Sequence, residues 1–283
     1  MAANGAQVLR QLQRQALASR QTGATVTTGE LVTRHALESF LDRLQRTPHG
    51  MDFVLKGGIL LAGYGVRRPT KDVDSQARSA SVTAAHIERV VRDVATVEAA
   101  DGLEIDLGSL DVQTIREAAD YPGLRMRALG TVGTARVVVA WDISTGDPVV
   151  PLPKMVSIPR VLGEPIEMLG YAPETSVAEK GVTILERGIT STRWRDYVDI
   201  VQLAKHGIDR SVLLDSARAV ARFRQVTLRP VADSVAGYGA ASQPKWAAWR
   251  RKEGLEDVCE PNLDDQLLEV IAVLDPVFSS GSE

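Results

Sequence analysis

Residues 55–74, which read LKGGILLAGYGVRRPTKDVD, constrain the fold of this chain more than any other stretch. An apolar approach leads into Gly57 and Gly58, and the carboxylates of Asp72 and Asp74 follow after a short segment. Because strand side chains alternate between faces, an extended Asp-Val-Asp run projects both carboxylates from one surface. Such a pair supplies the hard oxygen ligands that Mg²⁺ takes, and paired glycines let backbone N–H groups approach phosphates. The stretch therefore predicts a metal and phosphate site.

The composition places the chain among ordinary globular proteins. Its 283 residues are 44% apolar, which is ample for a core, and the formal net charge of −3 gives no basic bias that would indicate DNA binding. Its one cysteine, Cys259, excludes an internal disulfide framework and any cysteine-cluster metal site. No apolar run is long enough for a membrane span, and the first residues lack a signal-peptide core. We therefore expect a cytoplasmic protein with no membrane partner.

Hydrophobic periodicity divides the chain into a mixed first half and a helical second half. The spacing predicts helices over 8–20, 30–46, 59–64, 82–98, 174–187, 193–206, 209–221, 244–252 and 262–278. It predicts strands over 53–55, 70–75, 103–107, 124–129 and 136–143. A proline-bearing stretch over 150–170 is predicted to be irregular. This distribution indicates an α+β fold, with one domain over 1–165 and a helical domain over 166–283.

A third carboxylate would complete a two-metal arrangement, and the sequence offers two candidates. Asp142 ends the β-branched run RVVVAW, where a charged residue at a strand end favours a site. A turn aspartate that merely ends the strand is the simpler interpretation. Asp106, in the strand-like LEIDL, is the competitor. The sequence favours Asp142 and leaves both open.

A second group of charged residues lies on two predicted helices. Lys180 is on the first of these helices, and Arg193, Asp196 and Asp199 follow at intervals of three on the next. A lysine is a compact point charge suited to a phosphate, and an acidic neighbour can orient it. The alternative is a set of ordinary surface salt bridges between residues three or four apart.

Taken together, these motifs resemble a known family. The run K-G-G…R-x-T-x-D-x-D is similar to the signature of the nucleotidyltransferase superfamily, and in its local form to the AbiEii group of bacterial toxins, which includes the MenT toxins. A lysine on one helix followed by R-x-x-D-x-x-D on the next also resembles that group. The resemblance covers about residues 50–205. It implies the nucleotidyltransferase fold: a mixed sheet with flanking helices and a mainly helical C-terminal half.

The resemblance also implies an activity and its site. It implies an Mg²⁺-dependent enzyme that transfers a nucleotide from an NTP to the 3′ end of tRNA, which blocks aminoacylation and translation, and it implies a cognate antitoxin. The implied roles are catalysis by Asp72, Asp74, Lys180 and Asp196, metal binding by Asp72, Asp74 and Asp142, and nucleotide binding by Gly57, Gly58, Arg68 and Lys180. The helical domain would contribute Lys180 and Asp196.

Two other functions stay open at this point. The same catalytic frame can modify a protein or small-molecule hydroxyl, and a silent module of the same fold could act by binding alone. Trp246 and Trp249, beside a basic run, could stack on unpaired bases, although packing between helices is the commoner use. The histidines are scattered without metal-ligand spacing, so the sequence predicts no histidine metal site.

Overall fold

The computed structural model describes residues 4–21, 26–79, 82–115 and 123–281. The helices are α1 (Gly5–Gln21), α2 (Thr28–Gln45), α3 (Gly57–Gly63), α4 (Ala84–Thr96), α5 (Pro173–Arg187), α6 (Trp194–Lys205), α7 (Arg210–Phe223), α8 (Val231–Val235), α9 (Tyr238–Glu253) and α10 (Leu263–Phe278). The strands are β1 (Phe53–Lys56), β2 (Val73–Ala77), β3 (Leu103–Ile115), β4 (Gly123–Val132), β5 (Ala135–Ser144), β6 (Lys154–Ile158) and β7 (Ile166–Gly170). No helix in the described part of the chain is long and apolar enough to span a membrane.

The seven strands form one mixed sheet in the order β3-β4-β5-β2-β1-β7-β6. Strand β2 pairs antiparallel with β1 and parallel with β5, and β1 pairs parallel with β7. The outer pairs β3–β4, β4–β5 and β6–β7 are antiparallel. The two strands that carry the glycine and aspartate motifs are therefore central in the sheet, and the predicted α+β class is confirmed.

An aromatic cluster fixes the centre of the sheet against helix α2. The ring of Trp141 on β5 lies edge-on to Phe53 of β1, with ring centroids 4.6 Å apart, and to Phe40 of α2 at 5.4 Å. The indole N–H donates to Oγ of Ser75 on β2 at 3.0 Å, which satisfies the polar atom of a fully buried side chain. Helix α2 begins at the predicted capping box, in which Thr27 and Glu30 bond reciprocally.

The structure differs from the sequence prediction mainly between residues 150 and 170. The stretch predicted to be irregular contains β6 and β7, because its prolines lie outside the paired residues instead of interrupting them. Strand β3 runs to Ile115, well past the predicted end at 107, with a register shift between Asp106 and Asp111 that lets pairing resume. Helix α9 begins before the predicted position and contains Pro244.

The chain divides into two compact units. The first unit comprises Met1–Gly63, Pro69–Gly146 and Lys154–Gly170, and it contains all seven strands. The second unit comprises Tyr64–Arg68, Asp147–Pro153 and Tyr171–Glu283, and it contains α5 to α10. The sequence places a single boundary after residue 165, whereas β7 belongs to the first unit.

Candidate active site

The glycine pair lies where β1 meets α3, and the first glycine is required there for two separate reasons. Gly57 has φ +68°, in the left-handed region that favours glycine. A Cβ at this position would lie 2.0 Å from Oδ2 of Asp74. Strand pairing explains the close approach, because Lys56 and Asp74 are directly opposite each other on β1 and β2. The carboxylate of Asp74 thus rests on the backbone at the start of α3.

Burial alternates along the Asp-x-Asp motif, although the predicted strand over 70–75 begins later than expected. Val73 is fully buried between Asp72 and Asp74, which are both partly exposed. Strand β2 begins at Val73, so Asp72 lies in the bend before the strand instead of inside it. The hydroxyl of Thr70 donates to the backbone carbonyl of Asp72 at 3.2 Å and supports that bend.

Of the two candidates for a third carboxylate, Asp142 lies on the strand next to the Asp-x-Asp motif. On β5 it lies in register with Asp74 on the parallel neighbour β2. Asp106, the alternative, is on the edge strand β3, which β4 and β5 separate from β2. The carboxylate of Asp106 instead accepts a hydrogen bond from the backbone N–H of Gly108 at 2.9 Å. The geometry therefore favours Asp142 over Asp106.

Arg125 belongs to this group, and sequence reasoning missed it. It lies on β4 in register with Asp142 and donates two hydrogen bonds to that carboxylate, the Nε bond measuring 2.7 Å. The hydrogen bond to Asp142 raises the pKa of Arg125, and the charges of Asp72 and Asp74 raise it further, against the opposing effect of burial. The arginine is thus the counter-ion of Asp142 and also lies in the field of Asp72 and Asp74.

A small pocket opens beside these strands, entirely within the first unit. It is lined by Lys56, Asp74, Ile115, Gly123, Asp142, Ile143 and Ser144. It presents one ammonium and two carboxylates, together with apolar side chains. The two carboxylates, those of Asp74 and Asp142, offer hard oxygen ligands, which suit Mg²⁺ better than softer metals. Among the described residues, the ligand atoms of the three aspartates do not all lie within 4.8 Å of one another.

The second unit contains the other predicted cluster, built on α5 and α6. Nζ of Lys180 lies 2.6 Å from Oδ1 of Asp196 and 2.9 Å from Oδ2 of Asp199. The carboxylates face α5 because Asp196 and Asp199 are three residues apart on one face of α6. Both are buried, so this is an internal ion cluster and not the set of surface salt bridges that was the alternative.

Two arginines complete that cluster. Nε of Arg68 lies 2.8 Å from Oδ1 of Asp199, and its Nη2 lies 3.1 Å from Oδ2, a bidentate pair. Nε of Arg193 lies 2.6 Å from Oδ2 of Asp196. Three cations therefore surround two carboxylates. From the sequence we expected Arg68 to bind phosphate. In the structure its guanidinium is paired with Asp199, for which the sequence analysis predicted no role.

Burial and charge act in opposite directions on the ionisable groups of this cluster. Burial alone would lower the pKa of Lys180, but Asp196 and Asp199 outweigh it, so the pKa of the lysine is raised. Burial would raise the pKa of Asp196, but Lys180 and Arg193 lower it to about 2. The pKa of Asp199 is lowered in the same way by Lys180 and Arg68. All members are charged at neutral pH.

The aromatic and basic stretch of α9 is structural. Trp246 is fully buried, stacks on Trp249 with centroids 5.1 Å apart, and donates its indole N–H to the carbonyl of Glu260. Arg250 is also buried and donates to the carbonyls of Glu256 and Cys259. Packing between helices, the commoner use of such a pattern, thus accounts for Trp246 and Arg250.

The mixed sheet and its flanking helices define an α+β protein, with a glycine turn beside carboxylates at the centre of the sheet. Residues 39–268 match the family described as the nucleotidyl transferase AbiEii toxin of type IV toxin–antitoxin systems. This match spans most of the sequence, so the chain belongs to the AbiEii nucleotidyl transferase toxin family, as the resemblance indicated.

Two crystal structures from Helicobacter pylori are similar to this chain. One is JHP933, at 17% identity over 94% of this chain and 93% of that one, with a TM-score of 0.48. The other is a candidate nucleotidyltransferase, at 17% identity over 94% of this chain and 96% of that one, with a TM-score of 0.47. Among curated proteins, no sequence matches this one significantly.

Proposed function

We propose that this chain is an Mg²⁺-dependent nucleotidyltransferase toxin that transfers a nucleoside monophosphate from an NTP to the 3′ end of tRNA. Family membership supports nucleotidyl transfer and the toxin–antitoxin context. The single observation that carries the catalytic assignment is the position of Asp74. Its carboxylate lies against the backbone of Gly57 and in register with Asp142 on the next strand.

In this proposal the first unit holds the metal and the triphosphate. Asp72 and Asp74 bind Mg²⁺, and Asp142 joins them. The bound metal supplies positive charge that neutralises the phosphoryl oxygens and the leaving pyrophosphate. The backbone N–H groups of Gly57 and Gly58 donate to the phosphates, which only a residue without Cβ permits at the first position.

Arg125 has a defined part in this scheme. By pairing with Asp142 it neutralises part of a three-carboxylate cluster that would otherwise repel itself. Arg125 would pair with Asp142 only while that carboxylate holds no metal. With Asp142 as a metal ligand, the guanidinium would bind the phosphates that accompany the metal, since it binds phosphate with the same fork geometry that it uses for carboxylate.

Lys180 supplies the second set of charges in the proposal. Its raised pKa keeps it protonated at neutral pH, as phosphate binding requires. Asp196 holds the ammonium at 2.6 Å and so orients it, while Arg193 bonds the other oxygen of that carboxylate. Arg68, held by Asp199, contributes positive charge from a fixed position.

The identity of the acceptor is the most specific part of the proposal. The family resemblance supports tRNA, whose 3′-terminal hydroxyl would attack the α-phosphate, and a cognate antitoxin as the protein partner. The proposed substrates, NTP and tRNA, support a cytoplasmic location for the reaction. A protein or small-molecule hydroxyl would require the same site chemistry, so the acceptor must be tested directly.

The test is label transfer. Purified protein is incubated with Mg²⁺, total tRNA and each α-³²P-labelled NTP in turn, in parallel with a mixture of cytoplasmic protein. We expect label on tRNA with one or two nucleotides, and none with Asp72→Ala. Asp106→Ala, a carboxylate on the edge of the same sheet, is the matched control and should keep full activity. Label on protein alone would reject the tRNA acceptor, and no transfer to any acceptor would reject the enzyme.

A further inference from the structure

Two histidines that are far apart in the sequence lie together on the surface of the first unit. His49 is in the turn after α2, and His86 is in the first turn of α4. Their rings are edge to face, with centroids 5.6 Å apart and an interplanar angle of 89°. Asp52, at the end of the same turn, completes a group in which one ligand atom from each residue lies within 4.8 Å of the others.

The polar contacts of His49 already have the pattern of a metal ligand. Its Nδ1 lies 3.6 Å from Oδ2 of Asp52. Two ligands of a tetrahedral zinc ion, with bonds of about 2.0–2.1 Å, are about 3.4 Å apart, so little movement is needed. Its Nε2 lies 2.9 Å from Oδ2 of Asp93 on α4. A carboxylate at that nitrogen fixes the tautomer that leaves Nδ1 as the acceptor, as in carboxylate–histidine–metal arrangements.

The electrostatics of the group favour a dication. The carboxylates of Asp52 and Asp93 are 56% and 53% exposed, and no lysine or arginine within hydrogen-bond distance is described for either of them. Neutral imidazole is the form that binds metals. With both rings neutral, the four side chains carry two negative charges.

The turn that carries His49 and Asp52 is well supported by the backbone. The N–H of Asp52 donates to the carbonyl of His49 at 3.0 Å, and the N–H of His49 donates to Oγ1 of Thr47 at 3.2 Å. The carbonyl of Asp52 accepts from the N–H of Arg78 at 2.9 Å. The backbone that carries two of the three ligands is therefore held before any metal arrives, which reduces the ordering cost of binding.

We propose that His49, Asp52 and His86 bind a first-row transition-metal dication of the Zn²⁺ class, with Asp93 as the outer carboxylate and water as the fourth ligand. The site ties the start of α4 to the turn that leads directly into β1. Its two nitrogen ligands distinguish it from the all-oxygen group of Asp72, Asp74 and Asp142, since imidazole selects transition metals over Mg²⁺. The proposal does not depend on the proposed enzymatic activity.

The test is Zn²⁺ binding by the full metal-free chain in excess Mg²⁺, measured by competition with a chromogenic zinc chelator. We expect one equivalent bound by the wild type, and an affinity at least about 10-fold lower in His49→Ala and His86→Ala. His206→Ala, which removes an exposed histidine outside the group, should bind as the wild type does. With Co²⁺, the wild type should show the visible absorption of a four-coordinate site, and His86→Ala should not.

The outcomes separate this site from the others. Asp52→Asn removes one exposed ligand with little risk to folding, so it should weaken Zn²⁺ binding even where a histidine variant folds poorly. The urea midpoint without metal checks that each variant is folded. No Zn²⁺ binding by the wild type would overturn the proposal. So would binding that survives in both His86→Ala and Asp52→Asn, or that is lost only in Asp72→Ala.

Discussion

Replacing Gly57 with alanine tests the close approach on which the proposed active site depends. The substitution adds one carbon, which would lie 2.0 Å from Oδ2 and 2.7 Å from Cγ of Asp74. Ordinary contacts begin at 3.4 Å, so the carboxylate must move by about 1.4 Å. A displacement of about 1 Å in a catalytic group costs roughly 100-fold in rate. We therefore expect label transfer by Gly57→Ala to fall at least about 100-fold.

The control removes the contribution of backbone strain. Alanine at φ +68° costs roughly 1–2 kcal/mol of stability whatever its surroundings. Gly237 has φ +75°, and a Cβ there would meet nothing within 4 Å. Gly237→Ala should therefore lose about the same free energy of unfolding, as measured in urea, and keep its activity. Gly57→Ala should lose stability by at least that amount.

Comparison of the two variants decides the question. Activity is measured at a urea concentration well below the unfolding midpoint of each variant, so that both proteins are fully folded. If Gly57→Ala retained the activity of Gly237→Ala, the position of Asp74 against this glycine would have no catalytic importance. A parallel loss of activity in both variants would indicate strain alone and would equally refute the reasoning.

Three further predictions concern the charged clusters. Arg68→Ala leaves the fully buried Asp199 short of a partner and should cost about 3 kcal/mol in urea unfolding, whereas Arg193→Ala, whose side chain is 49% exposed, should cost less than about 1 kcal/mol. Because the pKa of Asp196 is lowered to about 2 in the folded state, the carboxylate stabilises the protein fully at pH values above 3.8, its pKa in the unfolded chain. This stability should be lost as the pH falls from about 4 to 2. An acid titration of unfolding should show that loss in the wild type and much less of it in Asp196→Asn. Arg125→Gln should lower the Mg²⁺ concentration needed for half-saturation in calorimetry, because it releases the carboxylate that the guanidinium holds.

The sequence predicted the elements whose pattern is local. The capping box at Thr27 and the β-branched strand that contains Trp141 depend on neighbouring residues, and both are present as predicted. Strands β6 and β7 were missed because five-residue strands between prolines have too few residues for alternation to be visible. Their pairing with each other and with β1 is a long-range property that composition does not encode.

The same distinction applies to the candidate sites. The glycine pair and the Asp-x-Asp motif were found because strand alternation and a tight turn act over a few residues. The pairing of Arg125 with Asp142 depends on the register of β4 against β5, and that of Arg68 with Asp199 joins residues 131 positions apart. The grouping of His49 with His86 likewise arises only when α4 packs near the turn after α2. Spacing rules for metal sites could not find it.

The two charged clusters differ in how their carboxylates are held, and this bears on metal binding. In the first unit, Asp72 and Asp74 are partly exposed, and Asp142 is paired with Arg125. In the second unit, Asp196 and Asp199 are buried and paired with Lys180 and two arginines. A carboxylate that is buried and already paired with cations is a poor ligand for a further cation, whereas a partly exposed one offers its oxygens to a metal. Binding of free Mg²⁺ should therefore depend on the carboxylates of the first unit alone.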